Sequence, residues 1–80
     1  METLRQASNR VVGTRQVLRN LKAGTLKRVY VANDADTFLY QQIVRAAEQS
    51  GVPVVRAATM KELGEACHVA VDTAAAGLLR

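Results

Sequence analysis

Val29-Tyr30-Val31-Ala32-Asn33-Asp34-Ala35-Asp36 is the stretch on which the fold turns. A short β-branched and aromatic run reads as a buried strand. Asn33, Asp34 and Asp36 follow it with side-chain oxygens suited to capping a helix. The spacing of Leu39, Ile43, Ala46 and Ala47 then predicts that helix over Thr37–Ser50, closed by Gly51. Downstream, Val52-Pro53-Val54-Val55 reads as a second strand, with the proline tolerated near its start. Thr59-Met60-Lys61-Glu62 has the form of a capping box and predicts a helix through Ala66. The tail Val69–Leu79 is open between helix, which its alanines favour, and a last strand, which its place in the series favours. Upstream, Gly24 ends a helical pattern over Thr14–Ala23, and Val11-Val12 makes a brief apolar step up to Gly13. Thr3-Leu4-Arg5-Gln6 is a second capping box and predicts a short helix near 4–8. Strands alternating with helices imply a sheet covered on both faces, a three-layer α/β/α sandwich.

The 80 residues suffice for one domain, expected over 1–80, with a modest core. Apolar residues form 49% and charged residues 22%, which argues against disorder. No apolar run has the length of a membrane span and no signal-peptide pattern opens the chain, so a cytoplasmic setting is expected. The single cysteine, Cys67, excludes an internal disulfide and a thiolate metal cluster. The net charge is +4, but its distribution is uneven. Residues 1–28 carry seven Lys and Arg against one acid, Glu2, whereas residues 29–80 carry four against six. A positive field at one end of the chain points to a polyanion, with nucleic acid first; a basic surface kept for solubility is the alternative.

Enzyme chemistry finds little support. His68 is the only histidine, so no His-based triad or two-His metal site can be assembled. Cys67 and His68 are neighbours on one element and read as structural. Asp34-x-Asp36 after a strand could hold Mg²⁺ or a phosphoryl group, yet the same residues are ordinary helix caps. No cofactor and no metal are expected. The strongest constellation is Gly13-Thr14-Arg15-Gln16-Val17-Leu18-Arg19-Asn20-Leu21-Lys22. On a helix Arg15, Arg19 and Lys22 line one stripe with Gln16 and Asn20 beside it, while Val17, Leu18 and Leu21 turn away. A helix N-terminus offers N–H groups to a phosphate, and Arg and Gln suit base edges. A solvated helix face is the competing explanation. With Phe38, Tyr30 and Tyr40 the only aromatics, a folded RNA with an accessible groove fits better than a stacked single strand.

Over nearly its whole length the sequence resembles the kink-turn RNA-binding family of ribosomal proteins, the L-seven-Ae and L-thirty-e type, and most of all its small bacterial members. The family signature Gly-x-Asn-Glu-x-x-Lys is matched by Gly13-Thr14-Arg15-Gln16-Val17-Leu18-Arg19. The strand and acidic turn at 29–36, the strand at Val52–Val55, and Lys61-Glu62-Leu63-Gly64-Glu65-Ala66-Cys67 follow in the family's order.

The resemblance implies a central mixed four-stranded sheet, with Thr73–Leu79 as a strand. It also implies a non-enzymatic protein that grips a sharply bent RNA loop closed by tandem sheared G·A pairs. Gly13 would allow close backbone approach, Arg15 and Gln16 would meet guanine edges, and Arg19 would reach a base or phosphate. A hydrophobic loop at His68-Val69-Ala70-Val71-Asp72-Thr73 would cover flipped-out nucleotides. The expected RNA-binding set is Gly13, Thr14, Arg15, Gln16, Arg19, Lys22, Asn33, Val69, Ala70, Val71 and Asp72. Arg15 and Gln16 stand where the family has Asn and Glu, and His68 where it usually has Gly. The implied partner is a structured RNA containing a kink-turn, ribosomal RNA or a riboswitch, bound by a monomer in association with the ribosome. The competing reading is a ribosome-associated protein-interaction subunit with weak intrinsic affinity for RNA.

Overall fold

A strand that must be buried on both faces needs apolar side chains on both, and Leu26–Ala32 supplies them. Val29 and Val31 point to one face and Tyr30 and Ala32 to the other, all four at most 1% exposed. The computed structural model describes residues 1–80, with elements in the order α1 (Glu2–Gln6), β1 (Arg10–Val12), α2 (Thr14–Ala23), β2 (Leu26–Ala32), α3 (Thr37–Gln49), β3 (Val54–Ala57), α4 (Met60–Ala66) and β4 (Ala75–Leu79). The four strands form one mixed sheet in the order β1-β4-β2-β3. β2 and β3 are parallel, with Val29 opposite Val54 and Ala32 opposite Ala57. β4 runs antiparallel to both β1 and β2.

Each face has its own core. Val17 and Leu21 of α2 and Ile43 and Ala47 of α3 pack with Leu26, Val29, Val31 and Ala75. On the opposite face Leu4, Leu63, Ala66 and Cys67 pack with Tyr30, Ala32, Ala76 and Leu78. The result is the expected three-layer α/β/α arrangement around a mixed four-stranded sheet. The first three residues of β4, Ala75, Ala76 and Gly77, are small where helices press on the strand from both sides. At Gly77 a Cβ would lie 2.9 Å from Leu26 Cδ1, so the missing side chain makes room for leucine.

Several boundaries differ from the sequence reading. The second parallel strand is Val54–Ala57, not Val52–Val55. The Val52 N–H donates to the Ala47 carbonyl at 2.9 Å and so still belongs to the end of α3. Pro53 has no N–H, and its carbonyl accepts from Val29 at 3.0 Å, so the ladder develops beyond the proline. β2 begins earlier than Val29, at Leu26, whose side chain is buried while Lys27 is exposed. The first helix is Glu2–Gln6 and begins at Met1 without a side-chain cap; Thr3 lies inside it, and the Gln6 amide donates to Glu2 instead. In the tail, tertiary burial of Ala75, Ala76 and Leu78 overrides alanine's helical propensity. Thr73 and Ala74 precede that strand rather than opening it.

The caps of α3 and α4, unlike that of α1, follow their sequences. Asp36 Oδ1 accepts from the N–H groups of Phe38 (2.9 Å) and Leu39 (3.1 Å), and Thr59 Oγ1 accepts from Glu62 at 3.0 Å.

Candidate nucleic-acid interface

Since β1, β2 and β3 run in one direction and β4 runs against them, one end of the sheet collects the start of α2, the β2–α3 turn and the approach to β4. Two hydrogen bonds tie these segments together. The Gly13 N–H donates to the Ala75 carbonyl at 2.8 Å, and the Ala32 N–H donates to the Ala74 carbonyl at 2.9 Å. The chain at 74–75 therefore passes between the first residue of the α2 region and the end of β2.

Gly13 has φ 102° and ψ 150°, a conformation essentially confined to glycine. A Cβ there would meet nothing within 4 Å, so the backbone angle, not crowding, demands glycine, and the space above it is open. No side chain caps the first turn of α2, which leaves its N–H groups to solvent or to an anion. Thr14 is half-buried beside them, and Arg15, Gln16, Arg19 and Lys22 are all exposed. None of these cations is paired: the one ion pair of the molecule joins Arg5 to Glu2 at 3.6 Å. Lys22 lies about 10 Å further along the axis than Arg15, so it extends the stripe away from the tip rather than joining it.

Two neighbours of the stripe have other duties. Asn20 Nδ2 donates to the Gln16 carbonyl at 2.8 Å, and its Oδ1 accepts from the Thr25 hydroxyl at 2.7 Å, so it shapes the C-terminus of α2. Leu18, expected to turn into the core, is only half-buried.

The opposing lip is the loop after α4. Cys67 caps that helix, and His68 takes a left-handed conformation with φ 60°. The His68 N–H donates to Glu65 and the Val69 N–H to Gly64, the paired bonds of a Schellman turn. His68 Nε2 lies 2.8 Å from the Arg5 carbonyl and donates to it. Val69 is half-buried against the core, Ala70 and Asp72 are exposed, and Val71 is 70% exposed. Thr73 is buried, with its N–H donating to Met60 at 3.0 Å, so the loop is pinned at both ends. Of the expected covering residues, Val71 presents apolar surface to solvent while Val69 anchors.

Two residues that hold this lip carry no functional signal in the sequence. Gly64, in the middle of α4, lies under the Val71 backbone; a Cβ there would overlap the Val71 carbonyl. Arg10 donates to the Cys67 carbonyl at 3.1 Å and to the Ala7 carbonyl, so one of the seven N-terminal cations is structural. Burial pushes the Cys67 thiol above its ordinary range, with nearby Arg10 partly opposing the shift.

Asn33 is exposed in the β2–α3 turn, its N–H donating to the Ala57 carbonyl at 2.8 Å. Asp34 accepts from the Met60 N–H at 2.8 Å, so both aspartates of the turn are engaged by backbone. No helix is long and apolar enough to cross a membrane.

The chain is 42% identical over 79 residues to the RNA-binding protein YbxF of Geobacillus stearothermophilus, covering 99% of this chain and 96% of that one. It is 35% identical to an RNA-binding protein of Bacillus pumilus, covering 92% and 90% of the two chains. Among solved structures, the 15.5kD RNA binding protein of Giardia lamblia superposes with a TM-score of 0.87 at 28% identity, over 99% of this chain and 67% of that one. Residues 1–79 match the model of one family, and the chain belongs to it: the ribosomal protein L7Ae/L30e/S12e/Gadd45 family.

Proposed function

We propose that this chain is a non-enzymatic RNA-binding protein that recognises a kink-turn, using the tip of α2 and the α4–β4 loop as two lips of one site. The observation that carries this reading is that one end of the sheet gathers both: Gly13, at the uncapped and unpaired cationic tip of α2, is bonded to Ala75, where the exposed apolar loop runs into β4. The tip supplies N–H groups and guanidinium donors for phosphates and guanine edges. Val71 supplies apolar cover for nucleotides that a sharp bend unstacks. Arg15 and Gln16 face the tandem sheared pairs, Arg19 stands one turn behind them, and Asn33 borders the site from the neighbouring turn. The names of the relatives above support RNA as the partner. Ribosomal RNA in the cytoplasm is the first place to look for it.

A gel-shift comparison of a kink-turn RNA with a plain duplex at equal salt tests this. Preference for the kinked RNA is the expected result. Equal affinity would leave only counterion-driven binding, whose logarithm falls by about 0.7–0.9 per contacted phosphate per decade of salt.

A further inference from the structure

The other large exposed apolar side chain lies outside the two lips. Phe38, 74% exposed, is the second residue of α3, at the same end of the sheet as Gly13. It opens a groove between α2 and α3 whose walls include Leu18, Gln42, Arg45, Ala46 and Gln49. No acidic residue lines this groove, and Arg45 has no ion-pair partner. At 100° per residue, Leu18 falls beside Lys22 and Arg15 on the helix, so the basic stripe of α2 borders the groove directly.

Building on the RNA-binding reading, we propose that the α2–α3 groove is a second contact for the same RNA, with Phe38 as the platform on which one unpaired base stacks. An aromatic face beside a primary amide and a cation is the combination that holds a single-stranded nucleotide: the ring stacks the base, Gln42 one turn on reaches a polar edge, and Arg45 two turns on meets a phosphate. One ring and one half-buried leucine are too little apolar surface for a stable protein interface, which needs about 1,000 Å² or more. A second copy of this chain would bring like charges together, since Arg45 lines the groove and Arg15 and Lys22 flank Leu18 on the helix that borders it. The sequence offers too few aromatics for recognition by stacking alone. Placed at the margin of a cationic site, one ring suffices to extend it.

The test uses a blunt kink-turn RNA and the same RNA carrying a short unpaired adenine extension on either helix. The full chain should bind one of the extended RNAs about fivefold or more tighter than the blunt one. Phe38→Ala and Phe38→Leu should both abolish that gain and leave the blunt affinity unchanged; because Phe38 is exposed, circular dichroism should show both variants folded. Equal binding of blunt and extended RNA overturns the proposal, as does a gain that survives in Phe38→Leu, which keeps the bulk but not the ring. Sedimentation of the free protein showing a dimer lost in Phe38→Ala, with no RNA gain, assigns the groove to self-association and overturns it too. The gain is a ratio between RNAs sharing one core, so it can vanish while the preference for kinked over straight RNA stands.

Discussion

The two lips of the site are built on opposite principles. The tip of α2 is rigid by helix geometry: its cations project from a single regular element, and its entry is fixed by the positive φ of Gly13. The α4–β4 loop has no regular structure and is shaped by what lies beneath it, the bare backbone of Gly64 and the Arg5 and Met60 carbonyls. The first lip therefore contributes charge and donors, and losing one of its side chains should alter binding without altering the fold. The second contributes shape, and its failure should be felt first in stability.

Arg15 and Arg19 together provide the largest separation of these effects. Replacing both by alanine should weaken binding to kinked RNA by about 2–6 kcal/mol, at roughly 1–3 kcal/mol for each base-edge contact, with an unchanged melting temperature. Titration by gel shift alongside a thermal melt checks both halves. Gly64→Ala should do the reverse. A methyl group driven against the Val71 backbone is an overpacking change of about 1–3 kcal/mol, read as a lowered denaturation midpoint, with RNA binding reduced as the loop is displaced. Val71→Ser leaves Gly64 in place and removes only the exposed apolar surface; binding should fall by about 1–2 kcal/mol and stability should hold.

The smallest expected effect sharpens the comparison within the second lip. Both α2 and α3 end in Schellman turns with glycine, Gly24 and Gly51, in the left-handed position, whereas α4 places His68 there. A left-handed conformation costs a non-glycine residue about 1–2 kcal/mol, and the bond to the Arg5 carbonyl returns about 1 kcal/mol. His68→Ala keeps the strain and loses the bond, so it should destabilise by about 1 kcal/mol. His68→Gly loses both and should melt within about 0.5 kcal/mol of the parent chain.

What the sequence reveals divides along the same line. The α2 stripe is legible because periodicity needs no knowledge of the rest of the chain: Arg15, Gln16 and Arg19 project outward wherever that helix sits. The caps Asp36 and Thr59 are legible because their partners lie two or three residues away. The shift of β3 to Val54–Ala57 is not, since it depends on Pro53 facing β2. The loop's place in the site comes only through resemblance. Its supports, Arg10 bonding a carbonyl 57 residues away and Gly64 beneath Val71, are tertiary facts with no local trace. Leu18 shows the limit of periodicity, which assigns it to the core although a groove opens beside it.

The last strand in chain order lies between the other two it pairs with, so the edge strand β1 joins the sheet only through it. β1 has no neighbour except β4, and the amide that steers the chain into α2 is received by Ala75. Loss of residues 75–79 would thus remove both the pairing partner of β1 and the carbonyl that receives Gly13, while α2 keeps its packing on α3 and β2. The edge of the sheet and the entry into α2 therefore stand or fall with one strand.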